Sequence, residues 1–235
     1  MKEIRVFSTT QRFVHWLHVV AFLVLMTTGA LLYVPAFRGF IEGDGGYLSR
    51  LLHRGGAVTF MLLPLLYVAF DPRGMLDSLQ RIFRWGKDDL GWLKAAPRYY
   101  FFGDDRNMPP QDKFNTGQKL FYDVVVLGMV GFIATGLIMW FGKGSVSPTV
   151  FLLSVLVHDL CTIAYGAFFL VHLLLTLAHP LMKGSIDGML FGWLPEDYLK
   201  HHHARYYEEL SARKRLVQQR QAAPRPQAGP SLEQA

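Results

Sequence analysis

The spacing of charges constrains this chain more than any other feature. Between Arg12 and Arg38 lie 25 residues, FVHWLHVVAFLVLMTTGALLYVPAF, without a single charge. As a helix they extend ~38 Å, enough to cross a hydrocarbon core of ~30 Å with some tilt. The run is too long for the roughly 7–15-residue core of a signal peptide and no A-x-A site follows it. Three more runs repeat the pattern. Gly55 to Phe70 is uncharged, with the helix expected to begin near Ser49 and to kink at Pro64. Val124 to Gly142 forms the third, beginning near Leu120, and the fourth extends from Pro148 to Ala178 with Asp159 as its only charge. Only 18% of the residues are charged, against about a quarter in soluble domains. The expectation is an all-α integral membrane protein, a four-helix transmembrane bundle with spans at about 12–35, 49–70, 120–142 and 148–178. One cysteine, Cys161, excludes an internal disulfide framework and reads as a small core residue.

Orientation follows from the basic residues, which favour the cytoplasmic side. Four spans put both termini on one face. That face collects Lys2, Arg5 and Arg12, nine more from Arg73 to Lys119 and eight from Lys183 onward, against Arg38, Arg50, Arg54 and Lys143 opposite. Twenty against four predicts that both termini are cytoplasmic. The net charge of +6 is then membrane topology and calls for no nucleic acid. Asp71 to Asn115 mixes Trp85, Trp92, Tyr99, Tyr100 and Phe101 with Lys and Arg, as a chain lying along lipid headgroups does. Residues 1–203 are expected to form the four-span domain. Residues 204–235 read as a charged surface helix followed by a Pro-rich disordered tail.

Six of the nine histidines fall in or at the ends of the apolar runs: His15, His18, His53, His158, His172 and His179. One membrane histidine can be a polar group bonded to nearby backbone, but ionisable residues there are costly, and six of them point to function. Spacing selects among them. The 14 residues from His158 to His172 amount to ~21 Å with a net rotation of about −40°, so both rings leave one helix face at two depths. If Arg12 and Asp71 mark the same interface, His53 lies ~22 Å above His15. Two pairs result, His53 with His158 on the outer side and His15 with His172 on the inner side. Facing neutral imidazoles across a helical bundle suit six-coordinate b-type haem. Zinc would require a cluster at one depth, and a proton relay would favour more carboxylates than Asp159. His18 and His179 are the alternatives to His15 and His172; choosing His179 would stretch the separation to ~31 Å. Gly55, Gly56, Ala57, Gly166 and Ala167 would let either a porphyrin or a neighbouring helix approach. Arg54 would pair with Asp159 or with a haem propionate.

The stretches QRFVHWLH, LLHRGGA, PPQDKFNTGQKLFY, HDLCTIAYGAFFLVH, KGSIDGM and KHHHARYYEEL make residues 5–215 similar to the gamma, or cytochrome b, subunit of respiratory formate dehydrogenase. The resemblance implies two b-type haems, with His53 and His158 as iron ligands on the periplasmic side and His15 and His172 on the cytoplasmic side. It also implies reduction of menaquinone or ubiquinone at Asn115, Gly117 and Gln118; the alternative is that Asn115 and Gly117 make the turn and cap into the third span. His201 to His203 read as a solvated basic stretch. Partners would be an iron–sulfur beta subunit, a molybdenum or tungsten catalytic alpha subunit and membrane lipids, all at a bacterial inner membrane. The chain would be the electron-transfer and quinone-reducing subunit, since it lacks a cysteine set for iron–sulfur clusters. Rival readings are the cytochrome b of a nickel–iron hydrogenase or thiosulfate reductase, a free-standing cytochrome b561, and an anchor with structural histidines.

Overall fold

A computed structural model describes residues 2–222; the Pro-rich tail lies outside the described residues. A short strand, β1 (Glu3–Arg5), precedes the first long helix, α1 (Thr9–Tyr33). A 3-10 turn (Pro35–Phe37) and a single helical turn, α2 (Arg38–Ile41), lead into α3 (Asp44–Phe70). Then come α4 (Pro72–Ile82), α5 (Lys87–Phe102), α6 (Thr116–Phe141) and α7 (Pro148–Leu173), which continues as a π turn (Leu174–Ala178). The chain ends in α8 (Ser185–Leu190), β2 (Trp193–Pro195), α9 (Glu196–His202) and α10 (Ala204–Ala222). Four helices are long and apolar enough to cross a membrane: α1, α3, α6 and α7 with its π turn. Residues such as Leu127, Leu152 and Ile163 present their side chains outward along them, as hydrocarbon-facing surfaces require.

Two of the helices begin earlier than the charge-free runs because their caps do. Ser8 accepts from the Gln11 N–H while the Gln11 side chain accepts from the Ser8 N–H, and Asn115 and Gln118 repeat this reciprocal box at the start of α6. Each box satisfies two N–H groups that a helix start leaves unpaired. The helix α3 starts at Asp44 and continues as one helix through Pro64.

The helix α1 packs along α3, and α6 along α7, so the bundle is two hairpins pressed together. Ala21, Phe22, Phe60, Leu63 and Tyr165 form the buried centre where they meet. The Cys161 thiol lies in the second hairpin, against Gly131 of α6. At one end the Ser8 hydroxyl donates to the Asp71 carboxylate over 2.7 Å and the Gln11 amide to the Tyr67 hydroxyl over 2.8 Å. The start of α1 and the end of α3 therefore share one level, the assumption on which the depths of His15 and His53 rested.

That end, which carries both described termini, is covered by a polar cap. The all-α expectation missed a small part of it: β1 and β2 pair antiparallel, Ile4 opposite Leu194. Arg81 of α4 reaches Asp77, Asp112 and Glu209, fastening α10 to the body. Burial alone would lower the Arg81 pKa, but these carboxylates outweigh it and push it up. Arg205 pairs with Asp88, and Tyr206 is buried, so α10 is docked along one face. Its charge pattern describes only the other face.

Candidate functional site

The structure brings the four selected histidines together as two pairs. His53 of α3 faces His158 of α7 with ring centres 6.5 Å apart and planes at 50°. His15 of α1 faces His172 of α7 at the same 6.5 Å with planes at 61°. Among the described residues no three His, Cys, Asp or Glu side chains converge to hold an ion, so the histidines meet as pairs. The first pair lies toward the turns that close each hairpin, between α1 and α3 and between α6 and α7, and the second toward the capped end.

Tyr165 occupies the middle. It is seven residues from His158 and from His172, ~10 Å from each along the axis and close to the same face. Its ring is 2% exposed and lies 4.7 Å from Phe22, 6.0 Å from Phe132 and 6.1 Å from Phe121. Its hydroxyl is hydrogen-bonded to His18 Nε2. This bond takes His18 out of the inner pair: one of its ring nitrogens is committed to the central plug. His179 is also elsewhere. It follows the π turn, and its Nε2 bonds to the Tyr100 carbonyl over 2.9 Å.

Two residues that sequence reasoning passed over complete the loop-side pair. The buried Thr28 hydroxyl donates to the Val24 carbonyl at 2.6 Å and lies 2.9 Å from His53 Nδ1. With its own proton given away, the oxygen can only accept from the ring, so Nδ1 carries the hydrogen and Nε2 keeps a free lone pair. On the other hairpin Thr135 does the same, donating to Gly131 O at 2.6 Å and accepting from His158 Nδ1 at 2.9 Å. The available signal was a Thr-Gly dipeptide in each helix. Gly29 and Gly136 approach the two rings, where a Cβ would lie 3.6 and 3.8 Å from Cε1. Among the described residues the inner pair has no such partners: His15 Nδ1 is buried without a hydrogen bond, and His172 is flanked by Phe121 at 5.1 Å.

The remaining sequence candidates divide between packing and polar roles. Asn115 and Gln118 spend their side-chain oxygens on capping α6, which leaves both amide nitrogens as donors. Gly117 faces Trp92, where a Cβ would come within 2.8 Å of the indole, so its small size serves packing. Gly56 likewise faces Leu25 of α1. A cavity of about 230 Å³ at the capped end is lined by Trp92, Tyr100, Asn115, Met182 and His202 among others. The Arg54 guanidinium lies over the Trp140 ring at 5.3 Å, and among the described residues it forms no ion pair with Asp159.

The histidine run at 201–203 is corrected. Only His201 is solvated: His203 is 4% exposed and its Nδ1 bonds the Asp112 carbonyl at 2.7 Å, while the His202 ring lies tilted 4.3 Å from Tyr198. Burial, then the neighbouring His201 and His203, push the His202 pKa down to about 4. Composition could not reveal this, because the cap that buries these rings is assembled from α4, α5 and the α9–α10 corner.

Similarity to known proteins extends over most of the chain. It is 29% identical to the formate dehydrogenase cytochrome b556 subunit of Haemophilus influenzae, covering 86% of this chain and 81% of that protein. Against two Escherichia coli subunits, the nitrate-inducible formate dehydrogenase cytochrome b556(Fdn) and the cytochrome b556(fdo), identity is 26% and 22%. The coverage is 83% and 87% of this chain and 86% and 92% of the relatives. Residues 6–192 match the prokaryotic cytochrome b561 family, and the chain belongs to that family.

Proposed function

We propose that this chain is the membrane cytochrome b subunit of a respiratory formate dehydrogenase, carrying electrons from a periplasmic-side iron–sulfur subunit through two b-type haems to a membrane quinone. The observation that carries this reading is the equal 6.5 Å separation of the two ring pairs. Two imidazole–metal bonds of ~2.0 Å, with roughly 1.1 Å from each nitrogen to its ring centre, add to about 6.2 Å. The residues present therefore fit two metal centres, one that His53 and His158 would hold and one that His15 and His172 would hold. Haem bound there supplies a reversible one-electron iron couple at each level.

The chain's own groups divide the remaining tasks. Thr28 and Thr135 keep the outer rings in the tautomer with Nε2 free. Phe22, Phe132 and Tyr165 fill the space between the levels and keep water out of it. At the inner end the Asn115 and Gln118 amide nitrogens are donors suited to a quinone carbonyl, with Gly117 bringing backbone and Trp92 together. The basic bias supports a cytoplasmic position for this end, at a bacterial inner membrane, where quinone would take up its protons. Formate oxidation belongs in this reading to a separate molybdenum or tungsten subunit; the relatives' names, each a cytochrome b556 subunit of formate dehydrogenase, support a division of the work among subunits.

The test is a reduced-minus-oxidised spectrum of the purified membrane complex with haem quantified per chain. A b-type α band at two haems per chain is expected. Its absence would overturn the reading, and reduction by formate only when iron–sulfur subunits co-purify separates a complex from a stand-alone cytochrome.

A further inference from the structure

The two pairs are alike in spacing and unlike in what their outward nitrogens meet. In the outer pair each Nδ1–H is given to a threonine oxygen that has passed its own proton to a carbonyl one helical turn earlier, Val24 for Thr28 and Gly131 for Thr135. Such a chain of bonds polarises the oxygen toward acceptance. An imidazole that donates its second N–H in this way becomes more basic at the other nitrogen and favours the more highly charged state of a metal bound there. The inner pair receives no such push. His15 Nδ1 is buried and unbonded, and among the described residues no side chain bonds the His172 ring. Its surroundings are aromatic, with Phe121 at 5.1 Å from His172 and Trp16 edge-on at 5.2 Å from His15.

We infer that Thr28 and Thr135 act as positioning residues that hold the outer iron at a lower reduction potential than the inner one, so that an electron moving toward the capped end runs downhill. The inference rests on the bis-histidine reading of both pairs. It assigns direction to hydroxyls in the outer shell, since the metal-facing ligands are the same four imidazoles.

The experiment is a redox titration of the two α-band components in the purified complex, for the unaltered chain and for Thr28→Val, Thr135→Val, the two valines combined, and Thr28→Ser. Valine keeps the shape and removes the acceptor; serine restores it. The double valine variant is expected to raise the outer potential enough to change its oxidised-to-reduced ratio about tenfold at fixed potential, ~59 mV for one electron, with the inner potential unmoved. Serine should retain the original value. An outer potential that stays put with both haems bound, or two potentials that move together, overturns the inference. A second readout needs no valine variant to fold: the component missing from His158→Ala must be the lower-potential one of the unaltered chain, and loss of the higher one overturns the inference. Absence of haem from the unaltered chain would instead defeat the reading on which it rests.

Discussion

At the outer end of the bundle, His53 and His158 are held from within the helices, each by a threonine on the partner helix of its own hairpin. At the inner end, His15 and His172 have no such bonds, and order comes from a cap folded over them from remote segments. There Lys119, at the start of α6, donates to Asp89 of α5 and to the Arg84 carbonyl, both at 2.8 Å, and the Thr116 hydroxyl donates to the same carboxylate. Burial would raise the Asp89 pKa, but Lys119, Thr116 and the Gly86 N–H outweigh it and hold the carboxyl below its usual range. The contrast teaches that one ligand chemistry can be supported in two ways. Local hydroxyls order the end that faces short loops; a tertiary cap built from remote segments orders the other.

The largest expected effect tests whether the ends are independent. His158→Ala should remove one haem per chain and leave the inner one, and His172→Ala should do the reverse and also abolish quinone reduction. Haem stoichiometry and low-temperature α-band spectra read this directly, and equal loss of both components in either variant would break the pairing. A smaller effect probes the cap. Lys119→Met strands the Asp89 carboxylate, whose side chain is 7% exposed, and should cost ~3–5 kcal/mol. The thermal midpoint in detergent should fall, the inner spectrum should change first, and adding Asp89→Leu should recover much of the loss; an unchanged midpoint would mean that the cap is not held by this pair.

The smallest effect concerns pH. The folded-state pKa of His202 is pushed down to about 4 by burial and by its histidine neighbours, so the unfolded chain binds the proton more readily. The stabilisation from the neutral ring is complete above about 6.5 and is lost as the pH falls toward about 4. Hydrogen exchange in α9 and α10 should accelerate across that window while amides around Thr28 and Thr135 stay protected. Exchange in the cap that is flat from pH 6.5 to 4 would sharpen the contrast in the other direction, making the cap as self-sufficient as the outer end.

The pairing of the four histidine rings is legible in the sequence because helical rise and rotation are fixed quantities. The 14 residues between His158 and His172, together with opposed directions of travel for α1 and α3, were enough to choose His15 and His53 as partners. His18 was harder. It stands one turn from His15, and its bond to Tyr165 depends on a helix 147 positions away. Thr28 and Thr135 were unreadable for a related reason: a threonine in an apolar helix commonly bonds its own backbone, as these two also do, and the second bond exists only because another helix brings a ring within 2.9 Å. The burial of His203 required α9 to fold back over Asp112, and no local pattern encodes that.

The sequence by itself determined the four spans, the bias of charge across them and the depth of each histidine, because bilayer thickness, basic-residue asymmetry and helix pitch are properties of a single segment. Tertiary structure decided which ring nitrogens are occupied, which histidine fills the core, and how the capped end is closed. Those outcomes depend on distances between segments, where a shift of about 1 Å makes or removes a hydrogen bond.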